Sequence, residues 1–523
     1  MADFTMKGFI ADLRNYHILS PQQQENSLRL IDISKKFHNK AKIQIKDITV
    51  ESDRTIILES GHQPNFLPYS GIWKKAFCLN WMQNKLNCCE NTSVAFFGLA
   101  DQNISTARIL SKNQIPSMNK EGLIKIGFKV KDSDKFKSFC SLEKPTYDVW
   151  QNEINTIEQH YCTLSKKIKP EGIFNKKQWD QIREILSDSY QIADNFAELN
   201  GMIFARICND VLGINLCFFL YSDMHHENFF IGESTRILQN LHAFNHTYNQ
   251  VIEQKRLDLT LAAPRHLPFW YECDCGVKLE IVIDDSFTSG IQCPVCNKKY
   301  QLVFGEKFQN LARYYAKMDF NAVSRNIVMA QGLGDTLFIS GVGGSLQYGQ
   351  ISDKISKDLG FHRPISFGWR SKDYYIGIAH RVAVHELMKQ FSIMSYEFLT
   401  TDLHEKISDT LQMLSQKTDD AKTQNNQKDL KYWTGMYSNS KNLVVYAKKV
   451  FSTTPSFIDI LASQDSESIK HLWDLAIENT EIEQVKGNVQ IQKDIRYPTN
   501  LLSDIQSDNL PVFYENIRKM EVE

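Results

Sequence analysis

No stretch of this 523-residue chain approaches the roughly 18 to 20 consecutive apolar residues that a membrane helix needs. The longest apolar runs, such as Val94 to Ala100 and Leu216 to Tyr221, are far shorter. The first fifteen residues, MADFTMKGFIADLRN, have an acidic residue near the start and no apolar core, which reads against a secretory signal. An excess of charge is also lacking: 60 Lys and Arg face 61 Asp and Glu, a formal net charge of -1, so no global argument favours nucleic acid or an anionic membrane. There is no Gly/Ser-rich or Pro-rich linker and no repeat of fixed period, so the pieces are expected to pack into one body. P-loop, GxSxG and HExxH patterns are missing too, which argues against a serine hydrolase or a zinc protease.

Hydrophobic residues make up 42% of the chain and charged residues 23%, enough to bury a large core. The 11 cysteines are an odd number in a long chain, which does not suit the disulfide framework of a small secreted domain. The compartment is read as reducing and cytoplasmic.

Four short apolar runs, each closed by a polar or glycine-rich loop, organise the middle of the chain. They are Thr55 to Leu58, Ser93 to Leu99, Ile214 to Tyr221 and Thr336 to Ser340. Helical stretches lie between them, among them Ile72 to about Gln83. This alternation predicts an α/β fold with a parallel, doubly wound sheet and ligands at the carboxyl ends of its strands. The expected organisation is a helical extension over 1–48, an α/β core over 49–267 and 305–385, an inserted cysteine module over 268–304, and a helical C-terminal region over 386–523. In the last, Leu403, Ile407, Leu411 and Leu414 recur at helical spacing.

The clearest pattern is Cys273-Asp274-Cys275, a hairpin-length spacer, then Cys293-Pro294-Val295-Cys296. Two such pairs match a zinc ribbon, each forming a tight turn that aims two thiolates at one Zn2+ ion. Four cysteines leave no open coordination position, so the site is read as structural rather than catalytic. The single residue between the first pair is shorter than usual.

The segment GHQPNFLPYSGIWKKAF, residues 61–77, passes from strand through loop to helix. Backbone N–H groups at such a helix start suit a phosphate or a carboxylate. His62 could serve as general base, and Lys74 and Lys75 could neutralise developing negative charge. Residue types alone leave equally open a proline-stiffened loop with one satisfied histidine.

Several stretches, in order, resemble the bacillithiol synthase family of cysteine-adding enzymes: Gly61, Gln63 and Pro64 followed by a glycine and a lysine; Ala95 to Asp101; Ser324-Arg325-Asn326-Ile327-Val328; and Phe338 to Tyr348. The likeness covers about residues 50 to 385, with the cysteine segment as an insertion. It departs from the family at His62, Asn65, Asn326 and Ser345. A shorter stretch, His62 to Gly71, is similar to the WbqC-like family, linked to acyl or aminoacyl transfer onto sugar amines. The resemblance implies a Rossmann-like core, a C-terminal coiled-coil region, and amide formation between an amino acid, cysteine in that family, and an amine-bearing small molecule such as an amino sugar. ATP is the expected activator.

On this reading His62, Lys74 and Arg325 are the catalytic candidates. Gly61, Gln63, Asn65, Gly71, Asp101, Asn103, Asp223, Gly341, Gly343, Gly344, Ser345, Gln347 and Tyr348 are the substrate or nucleotide candidates. Two alternatives stand beside the ligase: an acyl or aminoacyl transferase acting on a sugar amine, and a non-catalytic protein whose zinc ribbon binds a partner. Lys278, Lys298 and Lys299 of the ribbon are balanced by Glu280, Asp284 and Asp285, which argues against nucleic acid. No membrane partner is expected, and a homodimer stays open.

Overall fold

The protein is described by a computed structural model covering residues 3–13, 18–44, 48, 50, 54–87, 92–106, 108–168, 173–370, 372–374, 376–400, 402–478, 480–486, 489–492, 496–498 and 509–520. Its centre is an eight-stranded sheet. The strands are β1 (Asp3–Thr5), β2 (Ile56–His62), β3 (Ser93–Leu99), β4 (Cys217–Leu220), β5 (Leu337–Gly341), β6 (Ile365–Trp369), β7 (Glu481–Lys486) and β8 (Val489–Gln492). Five of them run parallel in the order β6-β5-β2-β3-β4, and β8 joins β6 in the same sense. Antiparallel β7 and then β1 close that edge.

Both faces of the sheet are covered, and the strand sequences show why. Alternate side chains of a strand point to opposite faces. Ile56, Leu58, Ala95, Phe97, Leu99, Phe218 and Leu337 enter one apolar core, with helices Ser70–Asn87, Phe196–Arg206, Ile378–Phe391 and Gln427–Ser452. Ile57, Val94, Phe96, Cys217 and Phe219 enter the other, with helices Pro21–Ala41, Leu241–Lys255 and Ala322–Leu333. Strands buried on both faces read as near-continuous apolar runs, which is why β3 is legible from sequence.

Local signals set the helix ends. Helix Pro21–Ala41 starts with a capping box, in which Ser20 accepts from the Gln23 N–H and Gln23 reaches back to the Ser20 N–H. Asn321 accepts from Val323 and Ser324 at the start of Ala322–Leu333.

In order of appearance along the chain, the five core strands lie third, second, first, fourth, fifth across the sheet. The direction of winding reverses between β2 and β5. At such a reversal the connections leave to opposite faces, and a crevice opens outside the carboxyl ends of the two strands.

The flanking regions are more integrated than the sequence suggests. Residues before 48 supply β1 and a helix buried in the second core. The C-terminal region is helical as far as Glu478 and then returns to the sheet as β7 and β8. The cysteine module runs wider than 268–304. Strands His266–Glu272, Lys278–Val282 and Met318–Phe320 form one small sheet, and Thr288–Gln292 pairs with Lys299–Val303 as a separate hairpin. Among the described residues, no helix is long and apolar enough to cross a membrane.

Candidate functional site

The crevice at the winding reversal has a volume of about 310 Å³ and is lined by His62, Tyr69, Gly71, Ile72, Lys75, Gly341, Trp369 and Thr454. Two helices begin on it. One is Ser70–Asn87; the other follows β5 directly, as Val342–Gly344, a π turn over Ser345–Gly349 and then Gln350–Leu359. Their N-terminal ends carry partial positive charge suited to an anion. Tyr69 and Trp369 offer flat apolar walls.

His62 ends β2, and its Nδ1 lies 3.1 Å from the Gln63 carbonyl oxygen. Burial, with a smaller push from Lys75, lowers its pKa to about 3, so the ring is neutral at pH 7. Lys75 donates to the Gly61 carbonyl, and its ammonium lies 5.7 Å from the centre of the Phe97 ring. Burial and then the nearby Arg325 lower its pKa to about 7. A lysine titrating at that point can both take and give a proton near neutrality.

The sequence candidates separate when placed in the fold. His62, Gly71 and Gly341 share the crevice. Lys74 does not join them: it is fully buried, 5.9 Å from the centre of the Trp473 ring, and burial holds its pKa well below the usual lysine value. Its neighbour Lys75 takes the place on the crevice because consecutive helical residues point about 100° apart. Arg325 lies 5.1 Å over the Tyr221 ring and is not part of the crevice lining. The Tyr221 hydroxyl in turn donates to Glu59 at 3.1 Å.

Gly61 has a packing reason. A Cβ there would meet the Gly98 carbonyl oxygen at 2.7 Å, so the close approach of β2 and β3 requires glycine. Gly341 and Gly343 are exposed, with nothing within 4 Å of where a Cβ would stand. Gly344 lies in the helical turn that follows, and Ser345 and Gln347 lie in the π turn. Tyr348 packs against the second core. The segment after Gly341 is thus helix rather than the expected loop. Gln63 supplies a carbonyl to His62 and to the Asn65 N–H. Asn65 is buried with no side-chain partner among the described residues.

Asp101 and Asn103 follow β3. Asp101 is buried and accepts from the Ser222 N–H at 3.1 Å and from the Ser222 hydroxyl. Burial raises its pKa to about 7 against those hydrogen bonds, with Asp223 adding to the rise. The Asn103 amide holds the turn by donating to the Ala100 carbonyl at 2.9 Å. Asp223 lines a different and larger cleft.

The four cysteines of the module converge. Cys273 lies 3.4 Å from Cys275 and from Cys296, and Cys275 lies 3.6 Å from Cys293, sulfur to sulfur. All four ligand atoms fall within 4.8 Å of one another and could hold one metal ion. A tetrahedral thiolate site with bonds of about 2.3 Å has sulfurs about 3.8 Å apart, so the donor set fits. The first turn closes through Gly276, at φ +85°, whose N–H donates to the Cys273 carbonyl at 2.7 Å. Asn297, at φ 60°, makes the second. Asp274 pairs with Lys298 and Lys317 and ties the first turn to its surroundings.

Sequence reasoning missed Tyr69 and Trp369 as walls, Thr454, and the buried acidic group Glu59 and Asp335. The last two are drawn together from β2 and from a position two residues ahead of β5. An acidic residue inside an apolar run, as in Ile57-Leu58-Glu59, was the available signal. No protein-family model matches this chain, and no curated protein matches it.

Proposed function

We propose that this chain is an amide-forming enzyme that joins the carboxyl group of an amino acid to a primary amine on a small molecule, with ATP as activator. The observation that carries the reading is the crevice, where His62, Lys75 and Gly341 meet two helix starts and two aromatic walls. Support also comes from the order of the five parallel strands, third-second-first-fourth-fifth, an order that dinucleotide-binding sheets also use. The likeness to bacillithiol synthases makes cysteine and an amino sugar the first substrates to test.

Amide formation from a free carboxylate is uphill in water, so the carboxylate first attacks a phosphorus of ATP, releasing pyrophosphate or ADP. The amine then attacks the acyl carbon, loses one proton, and expels AMP or phosphate. The helix starts hold the phosphoryl oxygens. Lys75 stands by the reacting groups to exchange a proton, and neutral His62 accepts a hydrogen bond beside it rather than serving as the general base. Arg325 acts through Lys75 by keeping its pKa low. The cysteine cluster holds a structural zinc ion and takes no part in the chemistry. A reducing cytoplasmic compartment suits the free thiols.

The test is incubation of the full chain with ATP, cysteine and glucosamine, then with a panel of other amino acids and amines, reading amide by mass spectrometry and nucleotide release. Turnover should fall by about a hundredfold or more in Lys75→Met and in His62→Ala at unchanged melting temperature. No turnover across the panel, or full turnover in both variants, refutes the proposal.

A further inference from the structure

Against the end of the π turn lies a small cavity of about 30 Å³, lined by Glu59, Asn326, Asp335, Gly349 and Ser366 among others. That is room for one water molecule or one ion. The strand register explains how it is built. Glu59, Phe338 and Ser366 stand side by side on β2, β5 and β6. Alternation sends all three to the face of the sheet that Ile57 covers.

Glu59 and Asp335 are each 1% exposed, and their carboxyl groups lie in hydrogen-bonding contact with one another. Burial raises both pKas, and Glu59 raises that of Asp335 further. Glu59 has some relief: the Tyr221 hydroxyl donates to it at 3.1 Å, and Arg325 stands near it. Asp335 has no such help, since neither of its oxygens receives a hydrogen bond among the described residues. Arg363, on the cavity wall, is already paired with Asp353 at 2.7 Å.

Two carboxyl groups in contact away from water need positive charge between them, either a shared proton or a cation. A shared proton uses no third ligand, and this cavity has one. Ser366 is 7% exposed, and its hydroxyl has no partner among the described residues. That hydroxyl points across to Gly349, where a Cβ would stand 2.7 Å from it. Asn326 adds a side-chain amide to the same wall. Two carboxylates, a hydroxyl and an amide form a hard donor set, which suits Mg2+ or Mn2+ over softer metals.

We infer that this cavity binds one small, hard divalent cation of the Mg2+ or Mn2+ type, held by the Glu59 and Asp335 carboxylates, with Ser366 and Asn326 holding the ion or the water it keeps. The two positive charges of the ion cancel those of the two carboxylates, which a water molecule could not do. Binding displaces the protons that the pair holds in the absence of the ion. The ion ties together β2, the lead into β5, β6 and helix Ala322–Leu333. None of this rests on the amide-forming reading above.

The experiment titrates Mn2+ into the full chain, with zinc on the cysteine cluster and no nucleotide present, and reads bound Mn2+ by electron paramagnetic resonance. One ion per chain is expected to bind, to give way to Mg2+, and to release protons into unbuffered solution. Affinity should fall by about a hundredfold in Asp335→Asn and about tenfold in Ser366→Ala, with Glu59→Gln as a third variant should either fail to melt cooperatively. Ser366→Ala leaves both carboxyl groups in place, so its effect separates a metal site from a shared proton. No Mn2+ on the wild type, or unchanged affinity in the folded variants, overturns the inference and leaves a carboxyl pair sharing a proton. Mn2+ that binds only when ATP is added belongs to the nucleotide, and displacement by K+ as readily as by Mg2+ denies the divalent assignment; either result overturns the inference too.

Discussion

Removing the metal proposed for the cysteine cluster should unfold one hairpin and spare the rest. Strands Thr288–Gln292 and Lys299–Val303 pair only with each other, and an isolated two-stranded hairpin is marginal at best in water. By contrast, strand His266–Glu272 sits between two partners, and Phe269 packs on Phe320 with ring centres 5.6 Å apart. Leu302, Ile291 and Tyr300 pack it on the second core, and its turn is tied down by the attachment of Cys293 and Cys296 to Cys273 and Cys275. With free zinc at a hundred times its dissociation constant, binding stabilises the attached state by ~2.7 kcal/mol, which is about a hundredfold in the closed-to-open ratio. Hydrogen exchange read by mass spectrometry over 288–303 should therefore accelerate by about a hundredfold on chelation. Peptides from β3 and β5 should change little. Metal analysis should return one zinc per chain, lost in Cys293→Ser and kept in Cys78→Ser, since Cys78 lies in the first core. Absence of zinc, or unchanged exchange over 288–303 after its removal, would refute the reasoning.

Acid should expose a second weak point at His38, whose ring is 1% exposed and whose Nε2 accepts the Phe218 N–H at 3.0 Å. Burial lowers its pKa from 6.5 to about 4, so the unfolded chain binds this proton first. The stability it contributes is present above pH 6.5 and is lost as pH falls toward 4, roughly 3 kcal/mol in all. His38→Leu should melt lower than wild type at pH 7, where the Phe218 N–H loses its acceptor, and draw level or cross above it near pH 4.5. A pH-independent difference in melting temperature would defeat this account. Two glycines should separate packing from function. Gly341→Val should leave stability within about 0.5 kcal/mol, because open space surrounds the new side chain, while abolishing the thermal shift produced by ATP. Gly98→Ala should destabilise by about 1–3 kcal/mol, because its Cβ would stand 2.5 Å from the Tyr221 ring.

Much of the core was legible because buried parallel strands are written as unbroken apolar runs. Ser93 to Leu99 has the same bounds in sequence and in structure. β2 runs four residues past its expected end, because Glu59, Ser60 and Gly61 break the apolar run while still pairing with β3; the Ser60 hydroxyl even donates to the Ile339 carbonyl at 2.8 Å. β7, with the sequence EIEQVK, is short, polar and separated from the core strands by more than a hundred residues, so no local pattern marks it. The four sulfurs were legible because close spacing in sequence enforces closeness in space. Lys74 and Lys75 were not separable, because only the helix phase decides which one faces the crevice. The larger cleft beside the first cysteine turn left no trace in sequence, because its walls come from Lys40, Gln102, Asp223, Glu272 and other residues far apart in the chain.

The pairing of β1 with β7 joins residues 3–5 to residues 481–483. The strand at residues 3–5 thus waits for its partner while residues 6–480 are made. At about 5–20 residues per second, that wait is on the order of 25 to 100 s on the ribosome. Over the last part of this interval, after residue 369 is made, the β6 edge that will pair with β8 has no neighbour on that side. An apolar strand edge left open for so long invites pairing with other nascent chains. Production of this protein should therefore respond to translation speed and to chaperone supply more than its finished stability would suggest.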